Sequence, residues 1–124
     1  TVAMSRGVAA LIISNTTTAR PALASRYAGE TGGLSGAPLR DMAQQRLVDF
    51  RKASGGQIGL IGVGGIASAR DAYARIRAGA NLVQIYSALV YEGPGLARRI
   101  NKQLQQLLQA DGFVNISDAV GVDG

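Results

Sequence analysis

The feature that most constrains this fold is a threefold alternation. Three short apolar runs, Val8–Ile13, Ile58–Val63 and Asn81–Tyr86, are each followed downstream by a stretch with helical periodicity. Runs of this length that are almost continuously apolar suit strands covered on both faces, as in parallel sheets. After the first run, Leu39, Met42, Ala43, Leu47 and Phe50 recur at spacings of three and four, with Arg40, Asp41, Gln44 and Arg51 elsewhere on the turn. That spacing predicts an amphipathic helix with one apolar face. The same reasoning applies to Ala69, Ala72, Tyr73 and Ile76, and to Leu96, Ile100, Leu104, Leu107 and Leu108. Ser68 is placed to cap the second helix, Pro94 stands near the start of the third, and Gly79 and Gly112 follow helix ends.

Strand, helix, strand, helix, strand, helix implies right-handed parallel βαβ units, which build both barrels and open doubly wound sheets. Thr1–Arg6 reads as the tail of an earlier helix, so the chain is expected to be part of something longer. Its 124 residues are about half of the roughly 250 in a complete (β/α)8 barrel. There is no internal repeat, low-complexity tract or interdomain linker, and residues 1–124 are expected to form part of one domain.

Composition removes several kinds of chemistry. The chain has no histidine and no cysteine, so imidazole or thiolate metal sites and histidine acid/base catalysis are excluded from it. Hydrophobic residues at 47% and charged residues at 17% place it among ordinary globular sequences rather than disordered ones. The net charge of +5 resides mainly on the predicted helices, at Arg46, Arg51, Lys52, Arg70, Arg75, Arg77, Arg98, Arg99 and Lys102. Without interleaved aromatics, these read as solvated helix faces and not as a nucleic-acid surface. No apolar run reaches the roughly 18 residues of a membrane span, and no signal-peptide pattern opens the chain. The segment is expected to be soluble by itself.

The polar motifs stand where predicted strands end. Ile61-Gly62-Val63-Gly64-Gly65-Ile66 joins a strand to a helix, which lets unhindered backbone N–H groups and a helix dipole face a phosphate. A turn needing glycine for steric reasons alone would look the same. Gly62-x-Gly64-x-x-Ala67 also fits the loose dinucleotide fingerprint, but the next strand ends Gln84-Ile85-Tyr86-Ser87, without the acidic residue that binds a ribose. A Walker loop is excluded, because no Gly-Lys-Ser/Thr follows. In a barrel, Tyr86 and Ser87 would neighbour the glycine turn, at the usual phosphate site of the last two strands; Tyr86 could equally pack at the rim. Ser14-Asn15-Thr16-Thr17-Thr18 can hydrogen-bond a planar polar ligand or simply cap a turn. The irregular stretch from Asn15 to Pro38 is long enough to be functional. The sequons at Asn15 and Asn115 read as accidental.

Four segments in register resemble the dihydroorotate dehydrogenase family: Ile13-Ser14-Asn15-Thr16-Thr17, Glu30-Thr31-Gly32-Gly33-Leu34-Ser35-Gly36-Ala37-Pro38-Leu39, Ile61-Gly62-Val63-Gly64-Gly65 and Val83-Gln84-Ile85-Tyr86-Ser87-Ala88. The Gln-Ile-Tyr-Ser and Glu-Thr-Gly-Gly-Leu-Ser-Gly forms, with the tail around Asp111-Gly112-Phe113 and Asp118–Gly121, are similar to the membrane-associated, quinone-using class. The resemblance implies an α/β fold, the C-terminal portion of a (β/α)8 TIM barrel. It implies FMN as cofactor, dihydroorotate and orotate as substrate and product, and quinone as electron acceptor in pyrimidine synthesis. On that resemblance, Ser14, Ser35, Gly36, Gly64, Gly65, Tyr86 and Ser87 contact FMN, and Asn15 and Thr16 hydrogen-bond the orotate ring. The flavin carries the hydride chemistry in such enzymes.

The family's serine base, flavin-side lysine and quinone-side helices match no residue here. Lys52 and Lys102 lie in helical patterns, so no catalytic residue is assigned to this chain. The implied partner is the N-terminal portion of the barrel, and the implied location is the cytoplasmic side of a bacterial inner membrane, held peripherally. Two other readings remain: another phosphate-binding barrel, such as those acting on sugar phosphates in amino-acid synthesis, and an inactive half-barrel that acts only by association.

Overall fold

The computed structural model describes residues 2–124, which form helix α1 (Val2–Ser5), strand β1 (Ala10–Ile13), a 3-10 turn (Ala37–Leu39), α2 (Arg40–Ser54), β2 (Gly59–Val63), α3 (Ala69–Arg77), β3 (Leu82–Gln84), α4 (Ala88–Glu92), α5 (Leu96–Ala110) and α6 (Ile116–Ala119). The three strands make one parallel sheet in the order β1-β2-β3. Ile13 pairs with Gly62 and Val63 with Gln84, so all three strands deliver their C-terminal ends to the same edge. Each predicted strand is present but shorter than its apolar run. Asn81 is drawn out of β3 because its side-chain Oδ1 accepts a hydrogen bond from the Leu60 amide at 3.0 Å, while its own amide donates to the Leu60 carbonyl.

The helices cover one face of the sheet. Leu60 and Ile13 are buried there with Leu47 of α2 and with Ala78 and Ala80 beyond α3. A second apolar cluster joins Ala72, Tyr73 and Ile76 of α3 to Leu96, Ile100 and Leu104 of α5, with Ala119 of α6 closing it. The opposite face is bare: Ile12 is 55% exposed and Leu82 63%. The expectation that the runs are covered on both faces therefore fails for this chain. Period-2 alternation points half of each strand away from the helices, and none of the described elements crosses that side.

Local signals explain the helix ends. Ser68 Oγ accepts from the Asp71 amide at 3.2 Å and caps α3 as its position suggests. Gly79 and Gly112 take φ of +125° and +79°, a region that favours glycine at helix C-termini. On α2, Leu39, Ala43 and Leu47 are buried, whereas Met42 and Phe50, expected on the same face, remain 38% and 39% exposed, since nothing described packs over them. Two short helices, α4 and α6, escape the periodicity argument because neither completes two turns. Asn115 has a structural use: its side chain accepts from the Ser117 amide while Asp118 accepts from the Asn115 amide, a capping box for α6.

Candidate functional site

All nine residues named as ligand contacts line one open cavity of about 910 Å³ at the C-terminal edge of the sheet. Its wall is made by four separate segments. Ser14, Asn15 and Thr16 leave the end of β1, Gly64 and Gly65 leave β2, and Tyr86 and Ser87 leave β3. Ser35 and Gly36 arrive from the far end of the long loop. Ile12, Val63, Ile66 and Ile85 supply apolar wall between the polar groups, and Glu92 is the single charged residue of the lining. Among the described residues no lysine or arginine lines it.

The long loop is brought back to the site by a few polar staples. Thr17 and Leu34 form an isolated antiparallel bridge, with amide-to-carbonyl distances of 3.2 and 2.7 Å. This folds the loop in half and sets Gly33 against Thr16. A Cβ on Gly33 would lie 1.9 Å from Thr16 Oγ1, so glycine there is required by close approach. Ser87 Oγ then donates to Ser35 Oγ at 3.0 Å and ties the loop to the end of β3. The guanidinium of Arg20, which carries no sequence motif, donates to the carbonyls of Thr17, Thr18, Ala19, Glu30 and Gly32. Sequence reasoning missed it because its partners are backbone groups brought near only by the bend. Asn15 Oδ1 accepts from the Thr16 amide at 2.8 Å, which leaves the Asn15 side-chain NH2 free to donate.

The glycine turn is the more deeply anchored wall. Gly64 and Gly65 have φ of +103° and +71°, a conformation that other residues adopt at a cost. Both readings of the turn hold together. A Cβ on Gly65 would sit 2.5 Å from Arg40 Cα, and one on Gly64 would touch Leu39 and Ala43, so the glycines let the start of α2 pack against the turn. At the same time, among the described residues neither amide has an acceptor, while both residues face the cavity. The adjacent N-terminus of α3 is less available, since Asp71 accepts the Ala67 amide at 3.1 Å and Ser68 accepts that of Asp71. The donors that the turn presents to the cavity are therefore the glycine amides more than the N-terminal amides of α3.

Arg40 pairs with Asp71 at 3.2 Å, and its guanidinium is held above its ordinary pKa by hydrogen bonding to Asp41 first and by Asp71 second. The expectation of solvated basic faces holds for Arg46, Lys52, Arg70, Arg98, Arg99 and Lys102, which are exposed. It fails for Arg75, which is fully buried. Helical position alone does not reveal this, because Arg75 points under the glycine turn and donates to backbone carbonyls there. Arg77 is half-buried against Asp123 and Asp111, at 2.7 and 3.0 Å. Tyr86, for which rim packing was the other reading, stands 82% exposed beside the cavity.

The dihydroorotate dehydrogenase family model matches residues 1–108. The dihydroorotate dehydrogenase (quinone) of Novosphingobium aromaticivorans is 63% identical over 120 residues, covering 97% of this chain and 34% of that protein. That of Sphingopyxis alaskensis is 64% identical over the same length. Among solved structures, the dihydroorotate dehydrogenase of Eimeria tenella in complex with ferulenol superposes with a TM-score of 0.94 at 45% identity, over 98% of this chain and 33% of that one. The chain thus spans about a third of the length of the relatives it matches, and its three β/α units are a portion of a TIM barrel. A match that runs through nearly every element, at these identities, settles the lineage: the chain belongs to the dihydroorotate dehydrogenase family.

Proposed function

We propose that this chain forms the phosphate side and part of the substrate side of the active site in an FMN-dependent dihydroorotate dehydrogenase that passes electrons to quinone. The observation that carries the reading is the convergence of four separate segments on one cavity, whose wall includes the Gly64 and Gly65 amides, neither with an acceptor among the described residues. A phosphate is the natural guest for such amides, because each N–H left without a partner is a donor awaiting an anion. The donor set fits FMN: hydroxyls and backbone amides for the phosphate, apolar wall for a flat ring, and no thiol or imidazole to compete.

In this assignment Gly64, Gly65, Gly36 and Ser87 hold the phosphate and its ribityl chain, with Ser14, Ser35 and Tyr86 beside them. Asn15 and Thr16 orient the orotate ring through amide and hydroxyl hydrogen bonds. Bound there, FMN would supply the hydride chemistry. The residues of this chain position ring and phosphate, and the general base is assigned to a part of the barrel outside this segment. Ile12 and Leu82, exposed on the bare side of the sheet, give the remaining strands an apolar surface to cover. Among the described residues no helix is long and apolar enough to cross a membrane; the proposed peripheral association with a membrane is assigned to other parts of the protein.

The test is spectroscopic and kinetic. A chain of the relatives' full length carrying this segment should purify yellow, with an FMN absorption spectrum, and should reduce a soluble quinone analogue when given dihydroorotate. The segment expressed alone should oxidise none. A full-length protein that folds yet retains no flavin, or that oxidises a sugar phosphate instead, would overturn the assignment.

A further inference from the structure

The cavity poses an electrostatic problem. A phosphate would enter a site whose lining contains no cation and one carboxylate, Glu92. Directly under the glycine turn lies a buried positive charge that the proposed binding residues do not include. Arg75 is 0% exposed. Its Nη1 donates to the Val63 carbonyl at 3.1 Å, and its Nη2 donates to the carbonyls of Gly64 at 2.9 Å and Arg40 at 3.2 Å.

These bonds determine how the turn faces. The peptide unit is planar and trans, so a carbonyl and the N–H of the next residue point in opposite directions. With the Val63 and Gly64 carbonyls turned onto the guanidinium, the amides of Gly64 and Gly65 are directed away from it. Neither amide has an acceptor among the described residues, and both residues line the cavity. The sequence is shaped to admit the arginine. Gly62 has an ordinary strand conformation and needs no glycine for its φ, yet a Cβ there would fall 2.5 Å from Arg75 Cγ and 3.0 Å from Cδ. Gly62 is therefore a slot for the Arg75 stem.

Burying a guanidinium is costly, and replacing it with packed apolar residues is often neutral or favourable for stability alone. Arg75 satisfies three backbone carbonyls that an apolar residue would leave orphaned, yet its Nε is buried with no partner among the described residues, so the guanidinium is held there at a cost. We infer that Arg75 is a positioning residue for phosphate recognition: it orients the Gly64 and Gly65 amides toward the cavity and places a fixed positive charge behind them. This rests on the FMN reading above, and the experiment separates the two.

Flavin affinity of the apoprotein, in a chain of the relatives' full length, is measured for FMN and for riboflavin, which lacks the phosphate, by quenching of flavin fluorescence. Thermal unfolding of each apoprotein is followed in parallel. The wild type should prefer FMN. Arg75→Met should lose FMN affinity on the order of 10- to 100-fold, as expected when charge-assisted hydrogen bonds are removed, with riboflavin affinity nearly unchanged. Arg75→Lys keeps the charge without the fork that spans three carbonyls, so its preference for FMN should be intermediate; it also serves as the test if the methionine variant does not fold. A preference that stays at the wild-type ratio in Arg75→Lys and Arg75→Met, or an equal loss of both flavins, would overturn the role of Arg75. A wild type that binds riboflavin as tightly as FMN would instead overturn the phosphate assignment itself.

Discussion

The two walls of the cavity are held by different physics. The glycine turn is anchored from below: three carbonyls sit on a buried guanidinium, and Leu39, Ala43 and the Arg40 backbone press against its glycines. The long loop from Asn15 to Pro38 is held from the surface. It has one isolated bridge, one serine-to-serine hydrogen bond and the exposed fan of Arg20. On the proposed assignment, a ligand's phosphate would meet a wall that core packing has already built, whereas its ring would meet one whose shape depends on solvent-exposed hydrogen bonds of lower individual worth.

The sharpest way to break this contrast is Gly65→Asp. The new side chain would be strained at φ +71° and its Cβ would clash with Arg40 Cα at 2.5 Å. Left-handed strain alone costs about 1–2 kcal/mol, and the backbone clash and the carboxylate facing a phosphate add to it. Both the unfolding midpoint and flavin retention after dialysis should fall. A variant that keeps its stability and loses only flavin would show that the wall is less tightly packed than these contacts imply.

Asn15→Ala, on the loop side, should leave flavin content near normal and weaken the response to dihydroorotate by about 1–3 kcal/mol, the penalty for an unpaired polar partner. Steady-state kinetics beside a flavin assay decide it. Loss of flavin with intact substrate response would reverse the assignment of the two walls.

Arg20→Ala removes five backbone contacts made by an exposed side chain. Global stability should change by no more than about 1 kcal/mol, while limited proteolysis between residues 15 and 38 should accelerate. If cleavage is unchanged and the unfolding midpoint drops steeply, the loop belongs to the core and the contrast fails.

The smallest effect is expected away from both walls. Arg77 hydrogen-bonds Asp123 through Nε and Nη2 at 2.7 and 2.8 Å and holds its carboxyl below the usual 3.8. A depressed carboxylate pKa stabilises the fold above the unfolded value and loses that contribution as pH falls through the folded one. Stability should therefore decline slightly more between about pH 4 and pH 2 in the wild type than in Asp123→Asn. Identical pH profiles in the two proteins would remove Asp123 from the account of the C-terminal tail. Flavin binding should be the same in both.

The sequence alone determined the alternation of strand and helix, the caps at Ser68, Gly79 and Gly112, and the four segments that meet at the site, because these depend on local periodicity, backbone conformation and motif order. Residue spacing could not reveal the environment of Arg75 or Arg20. Both look like ordinary surface cations along the chain, and what makes them different is a set of carbonyls from residues far away in sequence. The same holds for Met42, Phe50 and the bare sheet face: an apolar residue shows which side it prefers, but burial depends on whether another element arrives to cover it. Gly62 shows the boundary most clearly. Its place in the glycine turn is legible in the sequence, but its reason is an arginine thirteen positions later in the chain, which only the tertiary placement of α3 beside the sheet brings beneath it.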